Sequence, residues 1–371
     1  DGVEDYFMGA GEAPGVWHGR WADQLGLVGV VEADVLREMV EGHHPTTGED
    51  LLAGNKERVV KAIDLTLSAP KSVSLLWAFG DESTTASVSI AVAQASTTAL
   101  DFLESRAAVT RQQVNGVRRQ VETGGFAVAQ FTHRTSRAGD PQLHVHCLLP
   151  NMVERADGSH VAIDASPIHE WLKASGTVFQ AELQRLLTHE LGVVWGPERN
   201  GCREMVGFDR AQLRAFSKRT VAIETVLEAG PEAVTAKERM KADDRASLQT
   251  RDRKNKELTP EALRERWADE ATRAAITPGP ALARTLQHQA AHESLVDQAD
   301  VFAALIDPDT GMCATKARFG RAHVVERVAA QSAGRWTTSE IETLAEEFLA
   351  SDLVVRLATP TNTRRRKPPQ W

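Results

Sequence analysis

The sequence predicts an α+β protein in which a β-hairpin and a further strand accompany long helices, followed by a small, mostly helical unit. Three observations carry this. Residues 62–68 alternate apolar and polar side chains with the period of a half-buried strand. Two more segments, 126–133 and 143–149, read as strands joined by the strong turn chemistry of Ala138-Gly139-Asp140-Pro141. Long Ala- and Leu-rich stretches with helical spacing separate and follow them.

Taken in order, residues 6–30 are rich in Gly and aromatic residues, with Trp17 and Trp21 flanking Gly19, and the apolar spacing from Val31 to Val40 is helical. The strand at 62–68 presents Asp64, Thr66 and Ser68 on its polar face. Ala69-Pro70-Lys71 ends it, because proline cannot join a central ladder, and a second apolar segment runs from Val73 to Phe79. Residues 83–113 are expected to form one long helix ending near Gln113. Gly124-Gly125 marks a turn before Phe126–His133, and Leu143–Leu149 is the second arm of the hairpin. An amphipathic helix is expected over 168–192, with Trp171, Leu172, Val178, Leu183, Leu186 and Leu187 on its apolar side. From Gly207 to about Ala275 the chain is mostly helical and highly charged. Thr277-Pro278-Gly279-Pro280 reads as a linker, which places one domain over 1–276, a small helical or winged-helix unit over 281–358 and a linker over 359–371. There are no internal repeats.

A chain of 371 residues is expected to hold one large domain and one smaller one. Hydrophobic content of 42% with 25% charged residues is that of a soluble globular protein. No apolar run reaches the roughly 18 residues of a membrane span, and no basic-plus-apolar leader opens the chain. It begins at Asp1 rather than Met, as a fragment or a processed chain would. Cys147, Cys202 and Cys313 are far apart and odd in number, which fits free thiols in a reducing cytoplasm. The net charge of -8 argues mildly against nucleic acid, although phosphate binding needs only a local basic surface.

The chemistry concentrates in three histidines. His144 and His146 are two apart on one strand and share a face. A hairpin folded near Ala138 and Gly139 sets His133 roughly opposite His144, where Cβ atoms are about 4.5–5.5 Å apart. Three imidazoles can then converge on one point. Neutral nitrogen ligands without thiolate or carboxylate suit Zn, Mn, Co or Ni, with open positions for water or substrate as in a catalytic site. Cys147 follows His146 directly and faces the other way. A His-x-His pair on a strand is often a packing accident. The third histidine, and Asp64 as a partner that orients an imidazole through its second nitrogen, favour a three-histidine metal enzyme.

The surrounding residues resemble a known family. Phe131-Thr-His133-Arg-Thr-Ser136-Arg137-Ala-Gly-Asp140-Pro141-Gln142-Leu143-His144-Val-His146 is similar to the three-histidine motif of MobF-type conjugative relaxases, within the HUH endonuclease class. Asp64-Leu-Thr-Leu-Ser68-Ala-Pro70-Lys71-Ser72-Val-Ser74 resembles a second motif and Phe216-Ser217-Lys218-Arg219-Thr220 a third. Trp17-His-Gly19 with Gln24-Leu-Gly26-Leu resembles the segment after the family's tyrosines. These matches are in order over about residues 5–275.

The resemblance implies a palm-like antiparallel β-sheet with flanking helices, on which the metal sits. It implies nicking and rejoining of one DNA strand at a plasmid origin of transfer through a 5′-phosphotyrosyl intermediate. Mg²⁺ or Mn²⁺ is the expected cofactor, with Zn²⁺, Ni²⁺ or Co²⁺ as alternatives. Tyr6, the one tyrosine of the chain, is the implied nucleophile, with Phe7 where the family often repeats tyrosine. The alternative is a tyrosine preceding Asp1. Asp64 would orient a ligand histidine and assist deprotonation of the tyrosine. Lys71 and Arg137 are candidate phosphate contacts, as are Arg118 and Arg119, which cluster with Arg111 before the histidine strand. A further basic run contains Lys237, Arg239, Lys241, Arg245, Arg251, Arg253, Lys254 and Lys256. Trp17, Trp21 and Phe131 either stack on bases or belong to the core.

The implied partners are single-stranded origin DNA with an adjacent hairpin, together with conjugation accessory and coupling proteins. A cytoplasmic monomer is expected. Residues 281–358 resemble the start of a helicase portion, and the absence of a G-x-x-x-x-G-K-[ST] loop implies that this chain does not hydrolyse ATP. Three rivals remain at this point: a rolling-circle initiator or transposase of the same class, a three-histidine metallohydrolase that does not act on DNA, and a catalytically dead DNA-binding scaffold.

Overall fold

A computed structural model describes residues 13–52, 59–199, 201–230, 236–250, 260–280, 282, 298–314 and 318–357. Four strands form its central antiparallel sheet: β1 (Val16–His18), β2 (Ala62–Ser68), β5 (Val128–Thr135) and β6 (Pro141–Pro150), in the order β1-β5-β6-β2. The alternation in β2 holds. Leu65 and Leu67 are buried, while Asp64, Thr66 and Ser68 are exposed on the other face.

Behind the sheet lie α3 (Lys71–Phe79), α4 (Glu82–Ala107) and α5 (Ala165–Leu191). Leu65, Leu67, Val145, Cys147 and Leu149 bury their side chains with apolar residues of these helices in one core. Leu172 is the exception on the apolar side expected for α5, being exposed. At the front, α1 (Arg20–Gln24) and α2 (Ala33–Glu41) cover one end of the sheet. Here Trp17, Trp21, Leu36, Met39, Ala129, Phe131 and Leu148 form a second core. Trp17, Trp21 and Phe131 are therefore packing residues and not a stacking platform, since their rings are shut off from solvent. Gly19 is required at the join: it has φ +107°, and a Cβ there would lie 2.4 Å from the Phe126 carbonyl oxygen. That oxygen accepts hydrogen bonds from both Trp21 N (3.0 Å) and Ala22 N (3.3 Å).

One expectation is corrected. The helix expected to reach Gln113 stops at Ala107, and residues 109–114 are a strand. This strand, β3 (Val109–Val114), pairs with β4 (Val117–Glu122) as a separate two-stranded ribbon. Asn115 and Gly116 join them with φ +51° and +76°. Positive φ at both central residues is the requirement of a type I′ hairpin turn. A short pair, β7 (Val153–Glu154) and β8 (His160–Val161), follows.

The charged region after Gly207 is helical, as expected: α6 (Arg210–Ala215), α7 (Lys218–Ala229), α8 (Ala236–Gln249) and α9 (Pro260–Arg273). Farther on come α10 (Gln298–Ile306), α11 (Arg321–Gln331) and α12 (Thr338–Ala350). Val324, Val325 and Val328 of α11 share the rear core with α5. All three cysteines are free, with Cys147 buried. Among the described residues no helix is long and apolar enough to cross a membrane.

Candidate metal centre

The register of β5 and β6 sets His133 opposite His144, with His146 two rungs further along on the same face. The three rings stand with centroids 5.3 Å (His133–His144), 4.8 Å (His133–His146) and 5.1 Å (His144–His146) apart. One nitrogen from each lies within 4.8 Å of the others. His133 and His146 are buried and His144 is partly exposed. The pairing shifts register between His133 and Thr135, just past the site.

Two of the imidazoles are oriented through Nδ1. That of His144 lies 3.0 Å from the Gln142 carbonyl oxygen. That of His146 lies 3.0 Å from each Asp64 carboxylate oxygen, with Thr66 Oγ1 at 3.3 Å. Thr66 is directly opposite His146 in the β2–β6 ladder, and Asp64 reaches it from the diagonal position two residues away. An Nδ1–H donated to these acceptors leaves the Nε2 lone pair available as a ligand, the arrangement that fixes tautomer and ring angle at metal sites. The donor set fits a divalent first-row ion. Cys147 is turned into the rear core, where burial pushes its thiol pKa up, and takes no part.

The turn between the two histidine strands is tied from inside and outside. Within it, Ser136 N donates to the Asp140 carbonyl and Gly139 N to the Ser136 carbonyl, both at 2.9 Å. From outside, the buried Asp140 carboxylate accepts from Lys218 N and Lys218 Nζ, each at 2.8 Å. Lys218 Nζ also pairs with Glu270 at 2.7 Å. The Gly139 carbonyl accepts from Trp267 Nε1 at 2.8 Å and from Arg266. The start of α7 and one face of α9 thus clamp the turn. Phe216, beside Lys218, packs edge-on against Phe79 with centroids 5.3 Å apart.

A second brace comes from the Ser68–Ser74 segment. Leu143 N donates to Ser74 Oγ at 2.9 Å, and Leu143 O accepts from Ala69 N at 2.9 Å. The Glu204 carboxylate accepts from the first two amides of α3, Lys71 N (3.2 Å) and Ser72 N (2.7 Å). A carboxylate at a helix N-terminus is favoured both by these orphan donors and by the helix dipole. Sequence reading alone found none of the roles of Glu204, Arg266, Trp267 and Glu270. Asp140, Lys218, Phe216, Ser72 and Ser74, by contrast, lay in segments it had singled out.

The other sequence candidates are placed as follows. Lys71 donates from Nζ to the Pro141 carbonyl at 2.6 Å, and burial lowers its pKa to about 8 against the opposing pull of Asp140 and Glu204. Arg137 lies partly exposed on the turn beside the histidines. Arg118 and Arg119 are exposed on β4 of the ribbon. Arg239, Lys241 and Arg245 are exposed along α8. Tyr6 lies outside the described residues, as do Arg251, Arg253, Lys254 and Lys256.

A family model of the TrwC relaxase matches residues 1–274. The chain belongs to the TrwC relaxase family. Among curated relatives, the multifunctional conjugation protein TraI of Escherichia coli is 33% identical over 270 residues, and that of Escherichia coli strain K12 is 31% identical over 268 residues. Each match covers 68% of this chain but only 14% of the relative's length. Among solved structures, the relaxase TrwC in a metal-bound complex with oriT DNA is 31% identical, with a TM-score of 0.66. That match covers 74% of this chain and 93% of the TrwC chain. TrwC bound to a 27-mer carrying the recognition hairpin and the cleavage site is 32% identical, with a TM-score of 0.63 over 71% of this chain and 92% of the other. A relaxase of this family with an antiparallel sheet and flanking helices is thus the α+β fold expected from the sequence.

Proposed function

We propose that this chain nicks and rejoins one strand of DNA at a plasmid origin of transfer. The observation that carries the reading is the convergence of His133, His144 and His146, with His146 held through Nδ1 by Asp64. The fold relationship to TrwC structures that hold oriT DNA supports the choice of substrate.

His133, His144 and His146 would hold a divalent ion, Mg²⁺ or Mn²⁺. When bound, the ion supplies positive charge to a non-bridging phosphate oxygen and so stabilises charge that develops during displacement. Asp64 positions His146 and keeps its Nε2 lone pair available. Tyr6 is the nucleophile. Its phenolic oxygen forms a bond to phosphorus, the bond from phosphorus to the 3′-oxygen breaks, and the phenolic proton passes overall to the released 3′-hydroxyl. The 5′-phosphotyrosyl link conserves the phosphodiester energy, so attack by a 3′-hydroxyl reverses the step. Lys71, beside Pro141, and Arg137, on the histidine turn, contact phosphates of the single strand, and Arg118 and Arg119 contact those of a neighbouring hairpin stem.

Residues 1–276 form the strand-transfer unit in this proposal, and 281–358 lead into a helicase region. The partners are conjugation accessory and coupling proteins, and the chain works as a cytoplasmic monomer.

The test is incubation with a single-stranded transfer-origin oligonucleotide and Mn²⁺ or Mg²⁺. A covalent protein–DNA adduct on a denaturing gel is expected, and both EDTA and His144→Ala should abolish it. Release of a free 5′-phosphate end without adduct overturns the tyrosine mechanism. An adduct that still forms with Tyr6→Phe moves the nucleophile elsewhere.

A further inference from the structure

The ribbon β3–β4 stands apart from the central sheet, and an isolated pair of strands is only marginally stable in water. Its angle must therefore be set by what holds its base. Asp164 meets both of its strands at a single rung. It is the N-cap of the 27-residue helix α5 and accepts from Ser166 N at 3.1 Å. Asp164 Oδ1 also accepts from Arg111 Nη2 at 2.6 Å, and Oδ2 accepts from Gln120 Nε2 at 2.8 Å. Arg111 and Gln120 are directly opposite each other in the ribbon. Each oxygen of one carboxylate thus grips a different strand and ties the rung to the start of a long packed helix.

Surrounding contacts reinforce the joint. Arg111 Nη2 donates to Ser166 Oγ at 2.7 Å, Thr110 Oγ1 to the Ala162 carbonyl at 2.8 Å, and Asp164 N to the Val109 carbonyl at 3.0 Å. The Asp164 side chain is only 2% exposed, so the carboxylate end of these bonds is withdrawn from water while the Arg111 side chain remains 49% exposed. The next two rungs outward are Gln112–Arg119 and Gln113–Arg118. Strand geometry sets Arg119 and Arg118 on opposite faces, within about 7 Å of the gripped rung along the ribbon. A change of angle at the rung moves both guanidinium groups together.

We propose that Asp164 is a positioning residue for base-paired DNA: it fixes the ribbon so that Arg118 and Arg119 meet the phosphates of a hairpin stem beside the cut site. This rests on the proposed contact between those two arginines and DNA. It adds the device that makes such contact selective for a stem over a flexible strand.

The experiment compares dissociation constants, by fluorescence anisotropy in EDTA, for a hairpin-bearing oligonucleotide and for one of equal length without self-complementarity. Asp164→Asn retains the N-cap, since asparagine caps as well as aspartate, but replaces the anion gripped by Arg111 with a neutral amide, whose N–H₂ must find its acceptor in a Gln120 side chain turned end for end. The hairpin-to-linear affinity ratio should fall about tenfold, the effect of roughly one lost charge-assisted contact. Adding Gln120→Glu to Asp164→Asn lets the new amide donate to a carboxylate that also faces Arg111, and most of the ratio should return. Arg118→Ala with Arg119→Ala should lower the same ratio and reduce the log–log salt slope by about 0.9 per lost phosphate contact.

If the arginine variants leave the ratio unchanged, the ribbon is not a DNA contact and the inference falls with that reading. If they lower it but Asp164→Asn does not, positioning by Asp164 is overturned while the ribbon contact stands. A loss in Asp164→Asn that Gln120→Glu fails to restore also overturns positioning.

Discussion

Lys218 reaches the Asp140 carboxylate twice, through its backbone N–H and its Nζ, at 2.8 Å each. The two residues are 78 positions apart, and their contact joins the start of α7 to the turn between the strands of His133 and His144. Lys218→Met leaves the buried carboxylate with one backbone donor and removes its charge partner. Loss of about 2 kcal/mol of unfolding free energy is expected, less than for a fully buried pair because the Lys218 side chain is 42% exposed. Urea denaturation measures this. A change within experimental error would show that the clamp is dispensable.

Asp64 meets the candidate metal centre through His146 Nδ1, 3.0 Å from each carboxylate oxygen. Asp64→Asn removes the anionic acceptor at Nδ1 while leaving an exposed strand position with a similar side chain. Binding of Mn²⁺ or Ni²⁺, measured by titration calorimetry, should weaken about 10–100-fold. The melting temperature in EDTA should stay near that of the parent chain. Unchanged metal affinity would remove Asp64 from the site.

His18 supplies a pH dependence distinct from the metal centre. Its Nε2 lies 2.8 Å from Asp101 Oδ1, and this bond raises its pKa above the ordinary 6.5, overcoming the lowering effect of burial. A raised pKa means that the folded state holds the proton more tightly. The pair's contribution is therefore complete below pH 6.5 and is lost as pH rises through the elevated value. Asp101→Asn should flatten stability against pH in that window, as read by urea midpoints from about pH 5 to about pH 9. A slope that survives in Asp101→Asn must come from another group.

Gly19→Ala tests the tie between β1 and the strand before the histidines. A Cβ there meets the Phe126 carbonyl oxygen at 2.4 Å, in a backbone region that L-residues rarely adopt. The Phe126 oxygen must then shift, which weakens its bonds from Trp21 N and Ala22 N. A destabilisation of about 2–3 kcal/mol is expected, visible as a lower melting temperature. A neutral substitution would mean that the join between β1 and α1 is looser than the structure has it.

The histidine hairpin was legible because everything that defines it is local. Two-residue periodicity puts His144 and His146 on one face, and turn residues at 138–141 set the register that brings His133 opposite His144. The alternation in β2 likewise exposes Asp64. The ribbon was missed although its signal was present. Arg111-Gln112-Gln113 are good helix formers and extended the expected helix, whereas Asn115-Gly116 is a strong hairpin signal that fixes the opposite outcome.

By itself, then, the sequence determined the three candidate metal ligands, their common face and a residue able to orient one of them, because strand period and turn chemistry act over a few residues. Tertiary structure alone decided that Asp64 acts on His146, that Lys218 and Trp267 return to hold the histidine turn, and that Asp164 grips both strands of the ribbon. Most of these contacts join residues far apart in the chain. Which partner fills each hydrogen-bonding position is set by how the helices pack behind and beside the sheet, and no local pattern encodes that.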